Sequence, residues 1–333
     1  MAYITLNKNN FFNNLDKITN RTKTKDKIAI VLKDNAYGHG LREMASLAKE
    51  YGITKAVVRD DDEAQSIEDL FDYILVLGDI PEKASSKMRY TINDIKSIDK
   101  FPKDTLVELK VDTGMHRNGI SMRELHDAFI KIKDAGLILE AVFTHHRSAD
   151  ELTSEWFWQN DNFKKVKSEA KYLAEEFGFS PLRFHSANSA SLFRTETFDE
   201  DMARVGIASY GCLEGFENLS PVLSLYAEKL STREVEKGER VGYGGTFTAK
   251  ENSIVSNYNF GYGDGFLRNS SNEFITSSGV KQIGRISMDN SSFLSDEEKL
   301  LIFDNAIDAV KSAGTISYEV LTSLKASLKR EIV

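Results

Sequence analysis

One cysteine in 333 residues, Cys212, excludes an internal disulfide and any paired-cysteine zinc spacing. A reducing, cytoplasmic setting is the expectation. Only 4 prolines occur, and no Pro-rich or low-complexity linker divides the chain. No apolar run approaches the roughly 20 residues that a membrane-spanning helix needs, so no membrane association is expected. The beginning, MAYITLNKNNFFNNLDKI, lacks the basic and apolar regions and the small-residue cleavage site of an export signal. Positive charge is also short: 43 lysines and arginines against 51 aspartates and glutamates leave a net charge of −8, which argues against sequence-independent nucleic-acid binding. Histidine is scarce. His145 and His146 are adjacent and on a strand would face opposite ways, and the others, at 39, 116, 126 and 185, form no ligand spacing, so no metal is expected.

What the chain does have is a recurring alternation. From residue 27 to about 210, short apolar runs (KIAIVLK, KAVVR, YILVLGD, YTIND, LVELKVD, EAVFTHH, FHSAN and MARVGIASYG) alternate with longer amphipathic stretches. SMRELHDAFIKIKDAG, residues 121–136, is one of the latter, with Leu125, Phe129 and Ile132 at helical spacing and Gly136 as a stop. Strands alternating with helices imply a parallel sheet, and eight of them favour a closed (β/α)8 TIM barrel over an open sheet. Beyond LSPVLSLYAEKL the texture becomes that of short strands and Gly-rich turns. The expected organisation is an α/β barrel over residues 1–219 and a β-rich domain over 220–333.

In such a barrel, reactive groups gather at the C-terminal ends of strands. Lys33, Lys110, Arg117, His145, His185, Ser189, Arg204 and Gly206 all fall near such ends. Lys33 closes the apolar run KIAIVLK and is followed by DNAYGHG. An isolated strand-end lysine ordinarily reaches for solvent, but one held out of water beside an aldehyde can attack the carbonyl and form an imine. GYGG and GYGDG match neither a P-loop nor a dinucleotide fingerprint; hairpin turns account for their glycines.

Nine blocks, VLKDNAYGHG, KVDTGMHRNGI, FTHHRSADE, HSANSA, MARVGIASYG, VGYGGTFTA, FGYGDGF, GRISMD and GTISYEVL, in this order along nearly the whole chain, resemble bacterial alanine racemase. The resemblance implies pyridoxal 5'-phosphate as cofactor, joined to Lys33, and interconversion of L- and D-alanine, supplying D-alanine for peptidoglycan. Lys33 and Tyr243 would be the two acid/base groups on opposite faces of the substrate Cα. Tyr243 would come from the partner subunit of a head-to-tail homodimer with shared sites, backed by a chain through His145, Arg204 and His185. Arg204 would face the pyridine nitrogen. An arginine there gives no proton to the ring, which weakens it as an electron sink and disfavours transamination. The phosphate would be held by Tyr37, Ser189, Gly206, Ile207 and Tyr318. Arg117 would contact the cofactor and the substrate carboxylate, steadied by Lys110, a lysine often carbamylated in that family. Met288 and Tyr262 would lie at the substrate end, and Arg285 and Asp289 near the entrance.

Three departures accompany the resemblance. His146 and Arg147 stand where a phenylalanine and a small residue are usual, Asp34 replaces an alanine, and the stretch between Met288 and Tyr318 is short. They bear on substrate breadth, because alanine is not separable from serine by motif alone when a methylene changes discrimination by about 1 to 3 kcal/mol. Alternatives are a broader amino-acid racemase, a pyridoxal phosphate decarboxylase and a non-catalytic barrel that carries the cofactor. Arg204, where a decarboxylase would have an acid, argues against the second; the β-rich segment with Tyr243 argues against the third.

Overall fold

The computed structural model describes residues 2–215 and 218–333. It has two compact units, one made of residues 15–34 and 44–208, the other of 1–14, 35–43 and 209–333.

The first unit is a parallel barrel. Its eight strands are Ile28–Val31, Lys55–Val58, Tyr73–Val76, Met88–Ile92, Leu106–Asp112, Ile138–Phe143, Arg183–His185 and Ala203–Val205. The first seven pair each with the next, the eighth pairs with the first through Ala203↔Ile28, and the seventh and eighth form the seam of the barrel. Across that seam there is no strand ladder among the described residues, and two backbone bonds bridge it, Asp201 N–H to Phe184 O at 3.1 Å and Arg204 N–H to Ala187 O at 2.9 Å. All eight strands fall on the apolar runs expected to form them, because a parallel strand covered on both faces reads as nearly continuous apolar sequence. IAIV and YILV are buried throughout.

The helix expected over 121–136 is present with its first turn tightened. Ser121 and Glu124 form a capping box around a 3-10 turn, and Leu125–Asp134 continues as α-helix. Leu125, Ala128, Phe129 and Ile132 have no exposed surface, and Gly136 ends the segment at φ +66°.

The barrel is not filled by apolar side chains alone. Glu108 on Leu106–Asp112 reaches Tyr73 and Arg183, whose strands are not its neighbours, so these side chains cross the barrel interior. Arg183 also bonds Glu140 at 2.8 Å, and Glu140 bonds Arg89 at 2.9 Å. The two guanidinium groups lie over the Tyr73 ring at 4.9 and 4.8 Å.

The second unit is a sheet built on the long strand Leu223–Val235. The order is Gln282–Ile283, Ser291–Phe293, Ser253–Tyr258, Leu223–Val235, Tyr3–Leu6 and Lys329–Ile332, with Lys299–Phe303 also paired to the long strand. Pairing is antiparallel except between Tyr3–Leu6 and Lys329–Ile332. The change of texture near residue 219 precedes this long strand, but the unit also takes up the chain's first strand and the segment after Lys33.

Candidate active site

The segment that follows Lys33 is wound the wrong way for L-residues. Asp34, Asn35, Ala36 and Tyr37 have φ of 54, 55, 52 and 52°, a left-handed turn that costs on the order of 1–2 kcal/mol per residue, least for Asp and Asn. Such strain persists only when its surroundings fix it. Here His39 Nδ1–H donates to the carbonyls of Ala36 and Tyr37, each at 3.1 Å, and the His39 ring stacks on Tyr210 with centroids 4.3 Å apart. Arg330 donates to Gly38 O at 2.8 and 3.1 Å, and Asn35 Oδ1 accepts from Leu41 N–H at 2.9 Å. The same unit brings Tyr37 within 5.7 Å of Tyr318, ring to ring.

In the barrel unit, Lys33 lies just past the C-terminal end of Ile28–Val31. Its Nζ is 3.1 Å from Asp34 Oδ2, and Arg59 holds Asp34 Oδ1 at 2.8 Å. The Asp34 carboxylate is therefore a neighbour of the Lys33 amine. Lys110, Arg117, Arg204 and His145 form a cluster at the same end of the barrel. Burial, then Arg117 and Arg204, push the Lys110 amine down to about 8, with Asp112 opposing. Burial and the charges of Arg204, Lys110 and Arg117 hold His145 well below the usual imidazole range, so it is neutral.

Arg204 is 6% exposed, and among the described residues no carboxylate lies within ion-pair distance of it. Its Nη1 donates to His185 Nδ1 and, at 3.3 Å, to His185 O; its Nη2 donates to Thr144 O at 2.7 Å and Ser186 O at 3.2 Å. Phe143 stacks on His185 at 4.8 Å and lies under the guanidinium at 5.0 Å. Burial lowers Arg204 to about 10, so it stays a cation. Ser189 opens a short helix capped by Asn188, and its Oγ accepts from the backbone N–H groups of Gly206 at 3.1 Å and Ala208 at 3.3 Å, on either side of Ile207. A buried, under-neutralised positive centre beside hydroxyl and amide donors, with a lysine amine at the same strand ends, fits an anionic aldehyde cofactor such as pyridoxal phosphate.

The other expected residues lie in the strand-rich unit. Tyr243 follows Gly242 (φ +77°), whose backbone packs against the Arg285 backbone, and the Arg285 guanidinium lies over Gly244. Both line an open groove of about 990 Å³ with Ser287 and Asn290. Tyr262 is joined to the GRISMD segment by its N–H to Ser287 O at 2.9 Å, and Gly263 N–H reaches Met288 O at 2.8 Å. Tyr243, Met288 and Tyr262 are 68, 55 and 42% exposed, and Asp289 is exposed as well.

His145 and His146 follow the strand Ile138–Phe143 rather than lying in it. His146 is 3% exposed in a layer with Trp156; neither its ring nitrogens nor the Trp156 indole N–H has a hydrogen-bond partner among the described residues, although the Asn160 amide approaches the ring. Burial pushes His146 down to about 4 from an ordinary 6.5. The unfolded chain therefore takes up a proton before the folded one does, and about 3 kcal/mol of stability present above pH 6.5 is lost as pH falls toward 4. His146→Phe removes two unpartnered nitrogens at similar volume. It should raise stability at neutral pH by about 1–3 kcal/mol and flatten the loss between pH 6.5 and 4, as thermal melts across that range would record. His39, also lowered to about 4, leaves part of the slope in place.

Sequence reasoning missed Glu108, Tyr73, Arg183, Glu140 and Arg89. The only available signal was charge inside apolar strand runs, as in LVELKVD.

Residues 6–214 match the family model for the alanine racemase N-terminal domain, and 222–332 that for the C-terminal domain. An alanine racemase of Nitratiruptor sp. is 44% identical over 99% of both chains, and one of Campylobacter concisus 41% over the full length of both. The crystal structure of alanine racemase from Bacillus anthracis with bound L-Ala-P superposes with a TM-score of 0.88 at 28% identity, covering 100% of this chain and 95% of that one. A histidine racemase from Leuconostoc mesenteroides superposes at 0.84 with 26% identity, covering 100% and 98%. The chain belongs to the alanine racemase family.

Proposed function

We propose that the protein interconverts L- and D-alanine with pyridoxal 5'-phosphate, using Lys33 and Tyr243 as opposed acid/base groups, and so supplies D-alanine for peptidoglycan in the cytoplasm. The observation that carries the choice of reaction is Arg204, a buried cation with no carboxylate in contact. The cofactor, when bound, supplies an aldehyde that joins to amines and a ring that withdraws electrons from the substrate Cα. Lys33 would offer the amine for that junction and, beside the substrate Cα, would take or return the α-proton on one face. Arg204 would lie at the ring nitrogen and give it no proton, which would favour return of the proton to Cα over transfer elsewhere. Ser189 and the backbone of Gly206 and Ile207 would hold the phosphate, and Tyr37 and Tyr318, neighbours within the strand-rich unit, are the further hydroxyls the resemblance offers for it. Arg117 receives the substrate carboxylate beside Lys110, whose lowered basicity leaves a neutral amine fraction open to carbamylation. Met288 and Tyr262 border the substrate, and Arg285 and Asp289 the entrance.

Tyr243 supports the shared-site reading by its position. A phenol that exchanges protons with carbon must be shielded from water, and this one is 68% exposed in a single chain. A second copy covering the groove of Tyr243 and Arg285 supplies the shield, and His145 in that copy supplies the hydrogen-bonding partner. The function is tested with L-alanine, L-serine and L-histidine, followed by chiral chromatography. Alanine should racemise fastest; no D-enantiomer from any of the three would refute the reading.

A further inference from the structure

Glu108 is the only fully buried carboxylate among the described residues, and both of its oxygens are engaged. Oε1 accepts from the Tyr73 hydroxyl at 2.5 Å and Arg183 Nη2 at 3.0 Å, while Oε2 meets His185 Nε2 at 2.9 Å. The other ring nitrogen, Nδ1, meets Arg204 Nη1. An arginine only donates, so Nδ1 must be bare and the imidazole proton must sit on Nε2, pointing at Glu108. Arg204 has no direct carboxylate partner, so this imidazole is its hydrogen-bonded link to a buried negative charge.

We propose that Glu108 is a positioning residue of the catalytic site: by accepting the Nε2 proton of His185 it fixes the tautomer whose bare Nδ1 holds the Arg204 guanidinium in place. The consequence for catalysis rests on the reading that Arg204 faces the cofactor ring; the tautomer claim does not. The other groups around the carboxylate agree on its charge state. Burial alone would raise Glu108, but the hydrogen bond from His185, the Arg183 guanidinium and the Tyr73 hydroxyl outweigh it and hold the carboxyl below its usual range. Burial lowers His185 against the pull of Glu108, which leaves the ring neutral.

The isosteric change Glu108→Gln has a defined outcome. Arg183 has no acceptor to offer, so the glutamine oxygen takes the Oε1 position and its NH₂ takes the Oε2 position, facing His185 Nε2. The imidazole proton must then move to Nδ1, where it opposes an Arg204 N–H. Donor meets donor, and the guanidinium is displaced.

The test is a long-range ¹H–¹⁵N correlation spectrum of purified protein labelled with ¹⁵N-histidine, assigned through the loss of one signal set in His185→Asn. Wild type should show His185 as the neutral Nε2–H tautomer, a measurement that needs no Glu108 variant. In Glu108→Gln the ring should switch to Nδ1–H, and kcat for L-alanine should fall about 10- to 100-fold with KM changed far less. Glu108→Asp keeps the charge but draws it back by one methylene; it should weaken the Nε2–H signature and lower kcat to a smaller extent. A wild-type Nδ1–H or doubly protonated ring overturns the proposal. So does a Glu108→Gln variant that melts earlier yet keeps the wild-type tautomer and kcat, which is the signature of packing alone. A wild type that shows the expected tautomer but racemises nothing would remove the proposed function instead.

Discussion

Replacement of Lys33 by alanine is expected to abolish racemisation and the visible absorption of protein-bound pyridoxal phosphate together. The two losses have one cause, since the same amine is proposed to join the cofactor aldehyde and to move the α-proton on one face of the substrate. Loss of a positioned acid/base alone removes about 10²- to 10⁴-fold in rate, and loss of the covalent anchor adds to it. The fold should survive, because the Lys33 side chain is about a third exposed and its Asp34 partner keeps its bond to Arg59. A Lys33→Ala protein with the wild-type spectrum would show that the anchor is another amine.

Tyr243→Phe separates the two ends of the proposal. The visible band should remain, because the barrel residues that hold the cofactor are untouched, while racemisation of L-alanine should fall by about 10²-fold or more. Shared sites add a sharper consequence. Mixing the inactive Lys33→Ala and Tyr243→Phe proteins under conditions that exchange subunits should restore about a quarter of wild-type activity, since half the dimers are mixed and each mixed dimer has one intact site. No recovery despite demonstrated exchange would place Tyr243 in its own subunit's site or outside the chemistry altogether.

The parts of the molecule that could be read from sequence share a physical reason. The barrel strands stood out because both faces of IAIV or YILV are buried, and helix 125–134 because burial falls on one stripe. Lys33, Arg204 and Ser189 could be placed because barrel chemistry sits at strand ends, a rule that depends on position more than on neighbours. The network of Glu108, Tyr73, Arg183, Glu140 and Arg89 could not, because its members come from five strands and meet only when the sheet closes. The left-handed turn after Lys33 was equally hidden. Asp34 and Asn35 tolerate that conformation singly, but four such residues in succession are held by His39 and by Arg330, nearly 300 positions away. Tyr3–Leu6 alternates as any half-buried strand does, so nothing local says that it belongs to the same sheet as Leu223–Val235.

The central claim, two opposed proton donors, is tested most directly by incubating the enzyme with L-alanine in D₂O and analysing both enantiomers during the first few per cent of conversion. If Lys33 takes the proton from one face and Tyr243 returns one from the other, the first D-alanine formed carries deuterium at Cα while the remaining L-alanine is still protonated. D-alanine that keeps the original hydrogen, carried across by a single base, would contradict the account.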